Sequence, residues 1–178
     1  MTILIIKTNK ELLHDLEFVK PIEEILKKQN SKFKTIHYKK LKKHHLAFAK
    51  KIIITGTSLH DDFFLKDIER FNWIKNSKKP ILGICSGMQI ISLVFNSIIK
   101  QKTEIGFYSE NFTKEFLGLI GKNEVYHLHN NYAITPYEFE DFVISEIPQA
   151  IKHKTKNIYG ILFHPEVRNE KLVIEFSK

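Results

Sequence analysis

The chain has 178 residues, 43% of them hydrophobic and 27% charged, and a formal net charge of +8. This composition is ordinary for a globular protein. The length allows a full hydrophobic core without disulfides or structural metals, so we predict a single domain over residues 1–178. No apolar run approaches the ~18 residues of a membrane span, and the N-terminus lacks the basic segment that opens a signal peptide. The single cysteine excludes an internal disulfide, and we expect a cytoplasmic protein with a reduced thiol.

The positive charge is densest at residues 39–45, which read Lys-Lys-Leu-Lys-Lys-His-His. Such a patch can attract nucleic acid or an acidic partner. This one has no interleaved aromatic residues and no recognisable binding motif. We therefore interpret it as a solvated surface and expect no nucleic-acid binding.

The N-terminal half alternates predicted strands and helices. Short apolar runs predict strands at residues 3–7, 32–38 and 52–55, and helical periodicity predicts amphipathic helices at 15–28 and 63–77. This alternation is typical of an α/β layered sheet.

The stretch 80–89 predicts a short apolar strand that stops within residues 83–87 and continues directly into an apolar helix from residue 88 to about 96. The junction, Gly83-x-Cys85-x-Gly87, has the form of a nucleophile elbow with cysteine in place of serine. Small residues on either side let the chain pass through a sharp turn, and a helix N-terminus favours the thiolate. The pattern predicts Cys85 as a nucleophile. The alternative is a buried cysteine between two packing glycines.

A second apolar strand, residues 158–163, ends at His164-Pro165-Glu166. A thiol nucleophile gains from an adjacent base, and the base needs a group that fixes its tautomer. His164 and Glu166 supply these two roles, with Pro165 as a rigid spacer between them. Because reactive groups gather at the carboxyl edge of a parallel sheet, we expect these side chains to meet Cys85 there.

The stretch from residue 100 to 146 alternates in short segments and predicts antiparallel strands at one edge of the sheet, and residues 170–178 predict a C-terminal helix. His127 and His129 face the same side of a predicted strand, which could indicate a metal site. The sequence offers no third ligand at a sensible spacing, so we expect no metal and no other cofactor.

Together, residues 83–89 (Gly-Ile-Cys-Ser-Gly-Met-Gln) and 163–166 (Phe-His-Pro-Glu) resemble the class I (triad) glutamine amidotransferase family. Residues 104–108 (Glu-Ile-Gly-Phe-Tyr) resemble a segment of the glutaminase part of GMP synthases, and residues 150–160 resemble the archaeal two-subunit form. The resemblance spans nearly the whole chain. It implies a three-layer α/β fold, with a mostly parallel central sheet, helices on both faces and a small antiparallel edge.

The resemblance also implies an oxyanion hole made by the backbone amides of Gly56 and Ser86. The family more often has Gly-Gly-Pro where this chain has Gly56-Thr57-Ser58, which is a departure. The alternative for Gly56 is an ordinary glycine between a strand and a loop.

Three substrate contacts follow from the same resemblance. Gln89 lies one helical turn beyond Cys85 and would pair with the α-carboxylate or α-amino group of glutamine. Asn130 and Asn131 follow a histidine, His129, that matches one in the family, and they would bind glutamine through backbone groups. The alternative for Gln89 is a surface glutamine on a helix.

The implied reaction is hydrolysis of L-glutamine to glutamate and ammonia through a γ-glutamyl thioester on Cys85. The chain has no phosphate-binding loop. Ammonia would therefore pass to a separate ATP-dependent synthetase subunit, with GMP synthetase (XMP to GMP) as the leading candidate. Two alternatives stay open: a γ-glutamyl hydrolase or peptidase with the same triad, and a non-catalytic binding protein of the same fold.

Overall fold

The computed structural model describes residues 2–178. The strands are β1 Thr2–Lys7, β2 Lys32–His37, β3 Lys51–Ile54, β4 Ile81–Ile84, β5 Ile99–Phe116, β6 Leu119–Ala133, β7 Phe139–Asp141, β8 Val143–Ile144, β9 Ala150–His153 and β10 Ile158–Ile161. The α-helices are α1 Asp15–Phe18, α2 Lys20–Lys28, α3 Lys43–Phe48, α4 Ser86–Val94 and α5 Glu170–Ser177, with 3-10 segments at Leu12–His14, Tyr38–Lys40 and Phe63–Asn76. None of the helices within these residues has the length and apolar character needed to cross a bilayer.

The strands form two sheets. The larger one has the order β2-β1-β3-β4-β10-β9-β7. The first five strands in this order pair in parallel, β9 pairs antiparallel with β10, and β7 pairs antiparallel with β9. The smaller one, β6-β5-β8, is antiparallel throughout. The predicted mostly parallel sheet with an antiparallel part is confirmed, and the antiparallel part is divided between the edge of the main sheet and a sheet of its own.

The main sheet is buried on both faces. In β1, Ile3 and Ile5 point into one apolar cluster with α2 and α5, whereas Leu4 and Ile6 point into a second cluster with α4 and residues 63–76. Alternate side chains of a strand point to opposite faces, so an unbroken apolar run needs cover on both. This is the predicted three-layer arrangement.

Three predicted elements differ in detail. The helix expected over residues 15–28 breaks at Val19, because Pro21 lies at the start of α2 and cannot donate a backbone hydrogen bond to the preceding turn. The helix expected over 63–77 is a 3-10 segment with a kink at Asp67. The short strands expected after residue 100 are instead two long ones, of 18 and 15 residues, paired as a hairpin with two irregularities.

The glycines around Cys85 are required by close backbone contacts. A Cβ on Gly87 would lie 2.3 Å from the carbonyl oxygen of Ile54, and one on Gly83 would lie 2.5 Å from the carbonyl of Gly87. Strand β4 and helix α4 therefore cross at a distance that only glycine permits, as the elbow pattern predicted.

Replacing Gly87 by alanine should cost ~3 kcal/mol of the free energy of unfolding, because the new methyl group meets backbone that cannot move aside. Gly106→Ala is the matched control, since a Cβ there meets nothing within 4 Å and only its φ of 110° is strained. Chemical denaturation of both variants compares the two effects. A loss for Gly87→Ala no larger than for Gly106→Ala would contradict the steric explanation.

Candidate active site

Cys85 lies between the end of β4 and the first residue of α4, with φ 49° and ψ −105°. A non-glycine residue rarely adopts a positive φ, and such a conformation costs ~1–3 kcal/mol. The Cys85 N–H donates to the carbonyl of Ile161 at 2.7 Å, and the Cys85 carbonyl accepts from the N–H of Gln89 at 3.1 Å. The neighbouring strand and the first helical turn thus hold the strained residue in place.

His164 follows β10 at the same edge of the sheet and is 1% exposed. Its backbone N–H donates to the carbonyl of Tyr126 at 2.8 Å, which ties it to the smaller sheet. Its Nδ1 lies 2.8 Å from Oε1 of Glu166, so the carboxylate orients the ring and leaves Nε2 for other chemistry. The phenyl ring of Phe18 covers the imidazole, with ring centroids 5.4 Å apart.

Gly56 shows that Cys85 and His164 are neighbours. A methyl group added at Gly56 would lie 2.7 Å from Cε1 of His164 and 3.3 Å from Cβ of Cys85. Three segments far apart in the chain therefore surround one point, and the sequence-predicted nucleophile, base and loop glycine are brought together.

The electrostatics of the pair favour a proton on His164. Burial alone would lower the pKa of His164, but the Glu166 carboxylate and the Cys85 sulfur outweigh burial and hold this pKa well above the ordinary value of 6.5. A cationic imidazole next to a thiol stabilises the thiolate form. The geometry is that of a cysteine nucleophile with an oriented acid–base partner.

A comparison with known protein families agrees with this arrangement. The family model of class-I glutamine amidotransferases matches residues 12–173. The chain belongs to this family.

Among curated relatives, a GMP synthase (glutamine-hydrolyzing) subunit of Methanosphaera stadtmanae is 42% identical over 105 residues, covering 54% of this chain and 56% of that protein. GMP synthase (glutamine-hydrolyzing) of Spiroplasma kunkelii is 38% identical over 128 residues, covering 66% of this chain and 24% of that protein. The matches thus span little more than half of the Methanosphaera protein and about a quarter of the longer Spiroplasma synthase.

Solved structures show the same fold. A Thermoplasma acidophilum protein assigned to GMP synthase as one of its subunits superposes with a TM-score of 0.87 at 23% identity, covering 99% of this chain and 92% of that one. A glutamine amidotransferase of Thermotoga maritima has a TM-score of 0.76 at 20% identity, covering 93% and 76%. The family and the fold predicted from the sequence are confirmed.

In this class-I glutamine amidotransferase, the predicted oxyanion donors lie next to the nucleophile. Ser86 is the first residue of α4, where a backbone N–H has no acceptor within the helix. Its hydroxyl donates to the carbonyl of Thr55 at 3.1 Å and lies 3.1 Å from Oγ1 of Thr8. Thr8 also donates to Thr55, at 3.2 Å. Thr8 was not singled out in the sequence, although it follows β1 at the same sheet edge and fixes the residue before Gly56.

Cys85 faces a cleft between the loop that follows β3 and strand β6. One wall contains residues 57–59 with Asp61, and the other contains residues 128–131. Gln89 lies at its base and is only 6% exposed, so it is not a surface glutamine.

The predicted substrate residues interact with one another across this cleft. The Gln89 side-chain amide donates to the carbonyl of Asn131 at 2.8 Å. The Asn130 amide donates to the carbonyl of Leu59 at 3.3 Å, and its oxygen accepts from Thr103 at 3.0 Å. The Asn130–Leu59 bond links the two walls, and the Gln89–Asn131 bond ties the base of the cleft to one of them.

Asp61 is a site residue that the sequence analysis did not identify. It is buried in the cleft wall, where Oδ2 accepts from the Lys10 N–H at 2.6 Å and from the Thr57 hydroxyl at 2.9 Å. Its Oδ1 is buried and has no hydrogen-bond partner among residues 2–178. The signal available in the sequence was an acidic residue shortly after the loop glycine.

Replacing Glu166 by glutamine should lower the pKa of His164, because the larger of the two favourable charges is removed. A raised folded-state pKa stabilises the fold fully below the unfolded-state value of ~6.5, and this contribution is lost as the pH rises through the folded-state pKa. We therefore expect the free energy of unfolding of wild type to exceed that of Glu166→Gln by ~3 kcal/mol near pH 6. The difference should be smaller in alkaline solution.

Imidazole NMR titration and denaturation at several pH values check both effects. Glu124→Gln, which removes an exposed ion pair with Arg168, is the control and should cost ~0–1 kcal/mol. An unchanged His164 pKa in Glu166→Gln would show that the carboxylate does not hold the proton.

Proposed function

We propose that this chain hydrolyses L-glutamine to glutamate and ammonia, with Cys85 as nucleophile, His164 as acid and base, and Glu166 as the group that orients His164. The observation that carries the proposal is the meeting of a strained cysteine with a buried histidine whose Nδ1 lies 2.8 Å from a carboxylate. Membership of the class-I glutamine amidotransferase family supports glutamine as substrate.

In the first half-reaction, the Cys85 thiolate attacks the side-chain carbonyl carbon of glutamine. The resulting oxyanion accepts hydrogen bonds from the backbone amides of Gly56 and Ser86, each worth ~3 kcal/mol of the barrier. His164 gives its Nε2 proton to the amide nitrogen, the C–N bond breaks, and ammonia leaves. A γ-glutamyl thioester remains on Cys85.

In the second half-reaction, the now neutral His164 takes a proton from water while the oxygen attacks the thioester carbonyl. The C–S bond breaks, glutamate leaves and the thiolate is restored beside a protonated imidazole. Glu166 stabilises this cation in both halves. The sum is glutamine plus water giving glutamate plus ammonia.

Substrate recognition falls to the cleft walls. Gln89 lies at the base of the cleft, the backbone of Asn130 and Asn131 borders it on one side, and the buried Asp61 borders it on the other. Asp61 has a carboxylate oxygen without a partner, and an ammonium group would satisfy it. Asp61 therefore binds the α-ammonium group of glutamine, while Gln89 contacts the α-substituents from below.

The ammonia goes to a separate synthetase subunit, and GMP synthetase, which converts XMP to GMP, is the proposed acceptor enzyme. The relatives from Spiroplasma kunkelii and Methanosphaera stadtmanae, a GMP synthase (glutamine-hydrolyzing) and one subunit of such an enzyme, support this choice. A thiolate nucleophile works in a reducing compartment, which supports the cytoplasm as its place of action.

Labelling of Cys85 tests the nucleophile. A diazoketone analogue of glutamine should add once to wild type and not to Cys85→Ser, as measured by mass spectrometry. Because Cys85→Ser keeps the shape of the site, its circular dichroism spectrum should match that of wild type and show that it is folded. A folded wild type that resists labelling and releases no ammonia, even with a synthetase subunit present, would favour a non-catalytic binding protein.

Steady-state ammonia release separates the two enzymatic possibilities. We expect the rate to rise when a GMP synthetase subunit with XMP and ATP is added, and to fall at least ~100-fold in His164→Asn. If ammonia release by the isolated chain is already fast and does not change when the synthetase is added, the chain is a γ-glutamyl hydrolase instead.

Asp61→Asn should raise KM for glutamine by roughly 10–100-fold with little change in kcat, because it removes a charged hydrogen bond made in both ground and transition states. Glu69→Gln removes one negative charge at an exposed residue that does not line the cleft, and it should alter KM much less. Glutaramate, which lacks the α-ammonium group, gives a direct check. Wild type should prefer glutamine over it, and Asp61→Asn should lose most of that preference. A preference that survives would exclude Asp61 as the ammonium site.

A further inference from the structure

A second group of buried polar side chains lies behind the cleft, on the paired strands β5 and β6. His127 and His129 are two residues apart on β6 and point to the same face, and Glu104 is the register partner of His129 on β5. Their exposed fractions are 0%, 2% and 8%. The sequence showed no third ligand near the two histidines, but the hairpin brings one from a distant position on the neighbouring strand.

The three side chains are spaced as metal ligands are. One ligand atom from each lies within 4.8 Å of the other two. Oε2 of Glu104 is 3.1 Å from Nε2 of His129 and 3.8 Å from Nδ1 of His127. Bonds of ~2.0–2.2 Å in a tetrahedral site separate ligand atoms by about 3.4 Å. The two measured distances lie on either side of that value.

The contacts around His127 match those of a histidine ligand. Nε2 of His127 lies 3.2 Å from Oε1 of Glu110, while its Nδ1 is buried and has no hydrogen-bond partner among the described residues. Histidines that bind metals usually donate their other ring N–H to a carboxylate. The Gln149 side-chain amide donates to Oε2 of Glu104 at 2.8 Å and so holds this carboxylate in place.

The charge of the cluster also favours a cation. Glu104 and Glu110 are both buried, and buried carboxylates need a counter-charge or a metal. Lys102 approaches the other oxygen of Glu104, at 3.6 Å, and does not contact the histidines. A metal ion bound between the three side chains would supply such a counter-charge.

We propose that Glu104, His127 and His129 bind one divalent metal ion of the zinc class. Two imidazoles and a carboxylate suit Zn²⁺ and its neighbours in the transition series rather than Ca²⁺ or Mg²⁺. The site is buried, so its role is structural. It braces Leu128, which lies between the two histidines and whose carbonyl is 3.8 Å from the sulfur of Cys85. The proposal does not depend on glutaminase activity.

Zinc binding to the full chain tests the proposal. The test uses the Cys85→Ser variant, because a cysteine thiolate can bind Zn²⁺ and would add a second binding site. After chelation and equilibrium dialysis against Zn²⁺, elemental analysis should find one Zn²⁺ per chain, and the Tm should rise relative to the chelated protein. His127→Gln should weaken the affinity at least ~10-fold and remove most of the Tm rise.

His45→Gln is the matched control, because His44 and His45 are adjacent on the surface, with ring centroids 4.0 Å apart, and offer an adventitious site. It should leave stoichiometry and Tm rise unchanged. If His127→Gln does not fold, the Co²⁺ spectrum of the Cys85→Ser chain decides. Intense visible bands of a four-coordinate nitrogen and oxygen site support the proposal.

Three results would overturn it: no Zn²⁺ retained by the folded Cys85→Ser chain, equal retention by His127→Gln, or loss of binding in His45→Gln. Any of them would mean that hydrogen bonds alone hold the three side chains together, without a metal ion.

Discussion

The close crossing of β4 and α4 is the constraint on which the site depends. Gly87 touches the carbonyl of Ile54 and Gly83 touches Gly87, so no side chain fits between helix and sheet at this point. The helix must then begin immediately after Cys85, and the turn that allows this gives Cys85 a positive φ. The strain is offset by hydrogen bonds to the neighbouring strand and to the first turn of α4. The result is a sulfur held at a helix N-terminus, at the edge where the parallel strands end.

Electrostatic pairing completes the site. His164 and Glu166 are buried together. A buried ion pair is stable only when its charge attraction and hydrogen bonds offset the cost of removing both charges from water. The carboxylate holds the pKa of His164 above its ordinary value despite burial, and so keeps the proton on the imidazole. Removing either charge leaves the other buried and unpaired, which couples the stability of the fold to the protonation that the proposed chemistry uses.

Strand β6 serves two purposes at residues 127–131. Its backbone faces the cleft, where the carbonyls of Leu128 and Asn131 contact Cys85 and Gln89. The histidine side chains on either side of Leu128 point away, into the buried cluster with Glu104. Burial and the nearby His127 lower the pKa of His129 to about 4, so its ring is neutral at ordinary pH. The cleft wall is thus held from behind by polar contacts rather than by apolar packing alone.

The sequence by itself determined the fold class, the family and the members of the proposed triad, because these follow from local patterns. Apolar runs mark strands covered on both faces, glycines at fixed offsets mark the elbow, and a histidine and glutamate two apart after a strand mark the base and its partner. Only the tertiary structure decided the roles of Thr8, Asp61 and Glu104. Each is an ordinary polar residue in the chain, and what distinguishes it is a buried contact with a segment distant in sequence. The length of the β5–β6 hairpin was hidden for the same reason, since pairing between strands, not the composition of either strand, sets where each one ends.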